Sequence, residues 1–212
     1  MNISIALKTL LGTAALTLPL VASAASTYTT GGAGLTASAT VNFTVVIPKV
    51  LYLRVGTGSA YTTGTYATNA TTDLVTFTLA AGTSGNGTAV AGTGGDLSNG
   101  VETAAVVGNG GNVTLTATAA AAGLSDGNGD FIPFSQITTA ASALTGTYTL
   151  LPAPVLTNGT SASVLLTASA AKVVQADAKW TFAFANTAAY ASGTYGGVGV
   201  NNSLVTYTAT MP

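Results

Sequence analysis

The 212-residue chain contains no cysteine and no histidine, and only 5% of its residues are charged. Each absence removes a class of chemistry. Without imidazole there is no Ser-His-Asp triad, without thiol no cysteine nucleophile, and without either no His/Cys zinc or haem site. Disulfides, the usual staple of small exported domains, are excluded as well, so stability has to come from a packed core. Downstream of the first two dozen residues the only cations are Lys49, Arg54, Lys172 and Lys179. Four positive charges spread this thinly build no basic patch, which argues against nucleic acid and anionic lipid as partners. From residue 56 to residue 171 there is no lysine or arginine at all, so a trypsin-like protease finds no site there. What is present is 48% hydrophobic residues together with Thr, Ser, Asn and Gly. Where ordinary soluble domains are about 25% charged, hydration of this surface falls to hydroxyls and amides.

The N-terminus reads as a secretory signal. Lys8 supplies a short positive region, residues 9–21 (TLLGTAALTLPLV) an apolar run, and Ala22-Ser23-Ala24 a small-residue cleavage site. Residues 1–24 are therefore expected to be a cleaved signal peptide, with the mature chain starting at Ala25. The apolar run is shorter than the roughly 18 residues a membrane anchor needs, and no later stretch predicts a transmembrane helix. The expected destination is extracellular or at the cell surface, reached through the periplasm. About 188 residues remain, enough for one substantial domain with a well-buried core.

The dominant hydrophobic period is two. Val41, Phe43, Val45 and Ile47 alternate with Asn42, Thr44 and Val46, and the same pattern runs through Val75/Phe77/Leu79, Val113/Leu115/Ala117, Trp180/Phe182/Phe184 and Val205/Tyr207/Ala209/Met211. That is the signature of strands with one face in a core and a Thr-rich face in water. Threonine suits such a face because its branched Cβ fits the pleat while its hydroxyl stays hydrated. Clusters of Gly, Asn, Ser and Asp separate the runs at 82–87, 92–100, 108–112, 126–130 and 193–202, supplying the positive φ that tight turns require. The expectation is an all-β fold, an antiparallel immunoglobulin-like β-sandwich of about nine or ten strands, with residues 25–212 forming a single domain. A division near Pro152-Ala153-Pro154 is the alternative. Pro48 has no N–H to give a ladder and should break or bend the first strand. The Thr139–Ala143 run (TAASA) is compatible with one short helical turn.

An alternating first segment that passes through Ile-Pro (ATVNFTVVIPKVLYLRV, residues 39–55), a late KWTFAF strand (179–184) and a terminal segment over residues 193–211 closing in LVTYTATM together resemble exported bacterial immunoglobulin-like sandwich proteins, such as fimbrial subunits and surface-attached modules. Gly199 followed by Val205, Tyr207 and Ala209 is similar to the terminal strand of chaperone–usher pilins, although the disulfide pair and penultimate tyrosine of those proteins are missing here. The resemblance implies a structural or adhesive role at the cell surface and no catalytic residues.

One segment has the residue types of a ligand site. Asp126, Asn128 and Asp130, on a loop relaxed by Gly127 and Gly129, offer oxygen ligands at alternate positions, as Ca²⁺ requires. Phe131 and Ile137 stand where an EF-hand would need Gly and Glu, and the same residues also spell a tight turn. As a glycosidase acid–base pair, Asp126 and Asp130 would both be solvated on one loop, whereas that chemistry needs one acid in an apolar pocket. Ser169-Ala170-Ala171-Lys172 matches the S-x-x-K string of penicillin-recognising enzymes but has neither companion motif. Trp180 with Tyr52, Tyr148, Tyr190, Tyr195 and Tyr207 could form a sugar-stacking platform, yet Trp180 shares the alternation of Phe182 and Phe184 and is read as core. The leading expectation is a non-enzymatic structural or adhesive surface protein, fimbria-like or matrix-forming, that self-associates or joins other envelope proteins and has no cofactor beyond possible calcium. The alternative is a monomeric secreted glycan- or calcium-binding module.

Overall fold

The computed structural model describes residues 26–57, 66 and 68–212; the proposed signal peptide lies outside the described residues. The chain divides into two units, one ending at Ile47 and a second spanning Pro48–Pro212.

The second unit is all-β. Its strands are β1 (Leu51–Val55), β2 (Val75–Thr76), β3 (Val90–Ala91), β4 (Thr93–Gly94), β5 (Val101–Gly108), β6 (Val113–Thr118), β7 (Leu124–Ser125), β8 (Phe131–Ile132), β9 (Ile137–Ser142), β10 (Thr149–Leu150), β11 (Val164–Leu166), β12 (Val174–Phe184) and β13 (Thr206–Thr210), with a single 3-10 turn at Phe134–Gln136 among the described residues. The larger sheet runs β1-β5-β12, and the far side of β12 is shared by β9 and β10. Every pairing in it is antiparallel except β10 with β12. The smaller sheet has the order β11-β6-β13, antiparallel throughout.

These two sheets share one core. Val113, Leu115 and Ala117 of β6 pack with Ala104 and Val106 of β5 and with Ala176, Ala178, Trp180 and Phe182 of β12. The expected periodicity explains why. In β6 the inward Val113, Leu115 and Ala117 are buried while Thr114 and Thr116 are partly open, and along β13 Thr206, Thr208 and Thr210 are exposed while Tyr207 and Ala209 turn in. Trp180 is fully buried. Its ring lies 5.2 Å from that of Tyr207, and its indole N–H donates to the Leu151 carbonyl at 2.9 Å, which satisfies the one polar atom the side chain carries inside. The core reading of Trp180 is thus correct, and it offers no platform to a sugar.

Three local features differ from expectation. The TAASA run is not helical. Its first four residues lie in β9, where Thr139 faces Phe182 and Ala141 faces Trp180 across the ladder, and cross-strand pairing outweighs the few tenths of a kcal/mol per residue that alanine gains in a helix. β5 has no alternation (VETAAVVG) because, as a central strand, it is buried on both faces. The third difference concerns residues 41–47, which the alternation assigns to a strand: none forms there, and Val41, Phe43, Val45, Val46 and Ile47 are all 70% to 87% exposed. Within this first unit, Thr27 donates to the Ser38 carbonyl at 2.9 Å and Thr29 to that of Thr36 at 3.3 Å, joining the two limbs around Gly31 and Gly32. Regular strand order begins only after Pro48, where Asn109 accepts from the Val50 N–H at 2.7 Å and donates to the Pro48 carbonyl at 2.8 Å.

Candidate functional site

The Asp126–Asp130 loop closes the short β7–β8 hairpin. Asp126 does internal work there: its Oδ1 accepts from the backbone N–H groups of Asn128 (2.8 Å) and Asp130 (3.0 Å), and its Oδ2 accepts from the Asn128 side-chain amide at 3.3 Å. The Asp126 N–H in turn donates to the Asp130 carbonyl at 3.1 Å. The Asn128 N–H, more than any other group, holds the Asp126 carboxyl below its ordinary value, because these donors favour the charged form. The sequence-derived ligands Asp126, Asn128 and Asp130 are thus close together, arranged as a side-chain-capped turn. Tyr195 lies beside the loop, and burial followed by the two aspartate charges raises its hydroxyl.

Three of the six acidic residues gather elsewhere, at a place no motif announces. Arg54 on β1 donates from Nη2 to Asp96 Oδ2 at 3.0 Å and from Nε to the Gly56 carbonyl at 2.9 Å. Asp96 Oδ1 also accepts from the Thr103 N–H at 2.7 Å, and the Asp96 N–H donates to Glu102 Oε2 at 3.2 Å. Asp73 is held by the Thr57 hydroxyl at 2.5 Å and by the Thr57 N–H. Gly56, at φ 78°, lets the carboxylates approach: a Cβ there would collide with both Asp73 and Glu102. Glu102 is buried on β5, and its pKa rises from 4.5 to about 7, first through desolvation and then through the negative charges of Asp73 and Asp96. The sequence showed only acidic residues scattered over thirty positions; pairing of β1 with β5 brings them together. Each carboxylate is engaged by backbone or Arg54 donors, and among the described residues no group of three acidic side chains has the spacing to hold a metal ion. The arrangement ties loops to the sheet and presents no open reaction site.

Two clefts also mark the body. One, of about 630 Å³, runs between β10 and β11 and is lined by Thr, Ser, Gln, Tyr and aliphatic side chains with no charged residue. The other, of about 190 Å³, lies between β9 and residues 153–156. Tyr148, on the larger cleft, is the one titratable side chain lining either of them. No helix among the described residues is long and apolar enough to cross a membrane. Comparison with known proteins finds no matching family, no similar sequence among curated proteins and no similar solved structure.

Proposed function

We propose that this chain is an exported, non-enzymatic structural or adhesive subunit of the cell surface, built on an immunoglobulin-like sandwich and acting by self-association in a fimbria-like or matrix assembly. The observation that carries this reading is the run of five large apolar side chains at 41–47, each 70% to 87% exposed and all within seven residues. Apolar surface concentrated in this way marks an interaction site. The rest supports it: Asp73, Asp96, Glu102 and Asp126 are engaged by internal hydrogen bonds, no charged residue lines either cleft, and a Thr-rich, charge-poor exterior is insensitive to salt. Sedimentation velocity and negative-stain imaging of the secreted chain over a wide concentration range test it. Growing oligomers are the expected result, and monomers throughout would refute it.

A second reading, a monomeric module binding glycan or Ca²⁺, rests on the Tyr195 ring beside the Asp126 loop. A glycan array probed with and without chelator, with calorimetric titration of Ca²⁺, separates the two. Heat from Ca²⁺ together with chelator-sensitive glycan binding would favour the module.

A further inference from the structure

Glu102 stands where two lightly anchored pieces of chain meet the larger sheet. The first is the loop at 92–100 (GTGGDLSNG), in which Ser98 and Asn99 hold φ of 65° and 55°. Left-handed backbone at non-glycine residues is costly and persists only where neighbours impose it. Asp96 fastens this loop to the body: its carboxylate accepts from Arg54 and from the Thr103 N–H, and its own N–H donates to Glu102. The second piece is β2, whose only ladder is two residues long and runs to β4, inside that loop. Just before β2, Asp73 accepts from the Thr57 N–H and hydroxyl. Val75 of β2 and Phe77 beyond it pack on the core, the Phe77 ring 6.3 Å from that of Phe184.

Charge at this junction is unbalanced. Asp73, Asp96 and Glu102 converge from three segments, and Arg54, the cation beside them, is given to Asp96. Across the ladder β12 sets the uncharged Trp180 opposite Glu102, while Lys179 is opposite Thr103 and so belongs to the other face. From β13 comes Tyr207, whose hydroxyl desolvation keeps neutral. Glu102 is buried, with the Asp96 N–H as its backbone donor. A neutral carboxyl suits such a place. An ionised one adds a third negative charge out of reach of water.

We propose that Glu102 is a proton-operated latch: protonated, it keeps the 92–100 loop and β2 seated on the sheet, and ionised, it releases both together and uncovers Val75 and Phe77 while the two sheets stay intact. This goes beyond the self-association reading and does not depend on it. The direction follows from linkage. Glu102 titrates at about 7 when closed over, and at its ordinary 4.5 once water reaches it. Opening is therefore favoured as pH rises from about 4.5 to about 7, and the closed form is firmest in mild acid.

Native-state hydrogen exchange of the full chain, read residue by residue by NMR and corrected for intrinsic rates, tests this. The probes are the N–H groups of Thr57 (bonded to Asp73), Gly95 (bonded to the Leu74 carbonyl) and Asp96 (bonded to Glu102). From pH 5 to pH 8 all three should lose protection by about ten- to a hundredfold, through an opening that low denaturant does not accelerate. Ala117 in β6, bonded to Ser161, should stay far better protected throughout. In Glu102→Gln the three probes should no longer respond to pH. Asp73→Asn keeps an acceptor for Thr57 but removes one negative charge, so the response should survive with its midpoint at lower pH. Probes that exchange only together with Ala117, a pH response retained in Glu102→Gln, or a midpoint unmoved in Asp73→Asn would each overturn the latch.

Discussion

Replacing Glu102 by glutamine puts the electrostatics of the buried cluster to a quantitative test. Glu102 is 5% exposed, and its pKa stands at about 7 in the folded protein against 4.5 ordinarily. Between those values the native state keeps a proton that the unfolded chain has already released. Stability must therefore fall as pH rises from about 4.5 to about 7, and level off above. The full effect is about 3 kcal/mol at most, from roughly 2.5 pK units at 1.36 kcal/mol each. Glutamine reproduces the protonated acid: it cannot ionise, and its carbonyl can still accept from the Asp96 N–H that now reaches Oε2. At pH 5 the variant should match the unaltered protein within a few tenths of a kcal/mol. At pH 8 it should be more stable by about 2–3 kcal/mol, a rise in Tm of about 5–10 °C for a body of this size. Thermal unfolding followed by circular dichroism at half-unit intervals from pH 4.5 to 8.5 reads both. Asp126 titrates below this window and the partly buried Tyr207 above it, so neither interferes. Parallel curves for the two proteins, or a variant weaker at every pH, would show that Glu102 is ionised and bound as a carboxylate, and the reasoning would fail.

Asn186, 1% exposed at φ 54°, ties down the 83–88 loop: its Oδ1 accepts from the Gly85 N–H at 2.8 Å, and its Nδ2 donates to the Thr83 carbonyl at 2.8 Å and to Asn86 Oδ1 at 2.9 Å. Asn186→Ala should cost about 2–4 kcal/mol in denaturant unfolding, and Asn186→Asp, which turns the donor into a charge facing those acceptors, at least as much; a loss below 1 kcal/mol would contradict this. Trp180→Phe leaves the Leu151 carbonyl without its indole donor and should cost about 2–3 kcal/mol, while the unaltered chain emits at buried-indole wavelengths and resists aqueous quenchers. Limited trypsinolysis should cut at the exposed Lys172 and leave the fragment from Val55 to Lys172 whole even after unfolding, which mass spectrometry checks directly.

How much was legible beforehand depends on which interaction decides each element. β6, β13 and the Trp180 end of β12 follow from alternation, because a strand with one wet face records its burial in its own residues. The turn at Asp126 could be read for the same local reason: Asp, Asn and Gly favour it through bonds to their own backbone. β5 could not be read in this way, because burial on both faces erases the period. The Asp73–Asp96–Glu102 cluster could not either. Its members are ordinary acids until the pairing of Leu53 with Val106 and Val55 with Ala104 sets Arg54 and Gly56 beside them. The 41–47 segment is the instructive case, since its alternation is as clear as that of β6, yet none of it lies in a strand among the described residues.

From the order of its residues alone, this chain was bound to be β-structured, free of disulfides and without imidazole or thiol chemistry, because side-chain identity and a two-residue period act locally and need no fold to be expressed. Only the three-dimensional arrangement decided that Glu102 holds a proton near neutrality, that the 139–143 run joins a ladder, and that one alternating segment stays in solvent while others fill the core. Burial and charge proximity are properties of neighbours distant along the chain, and those neighbours exist only once the strands have paired.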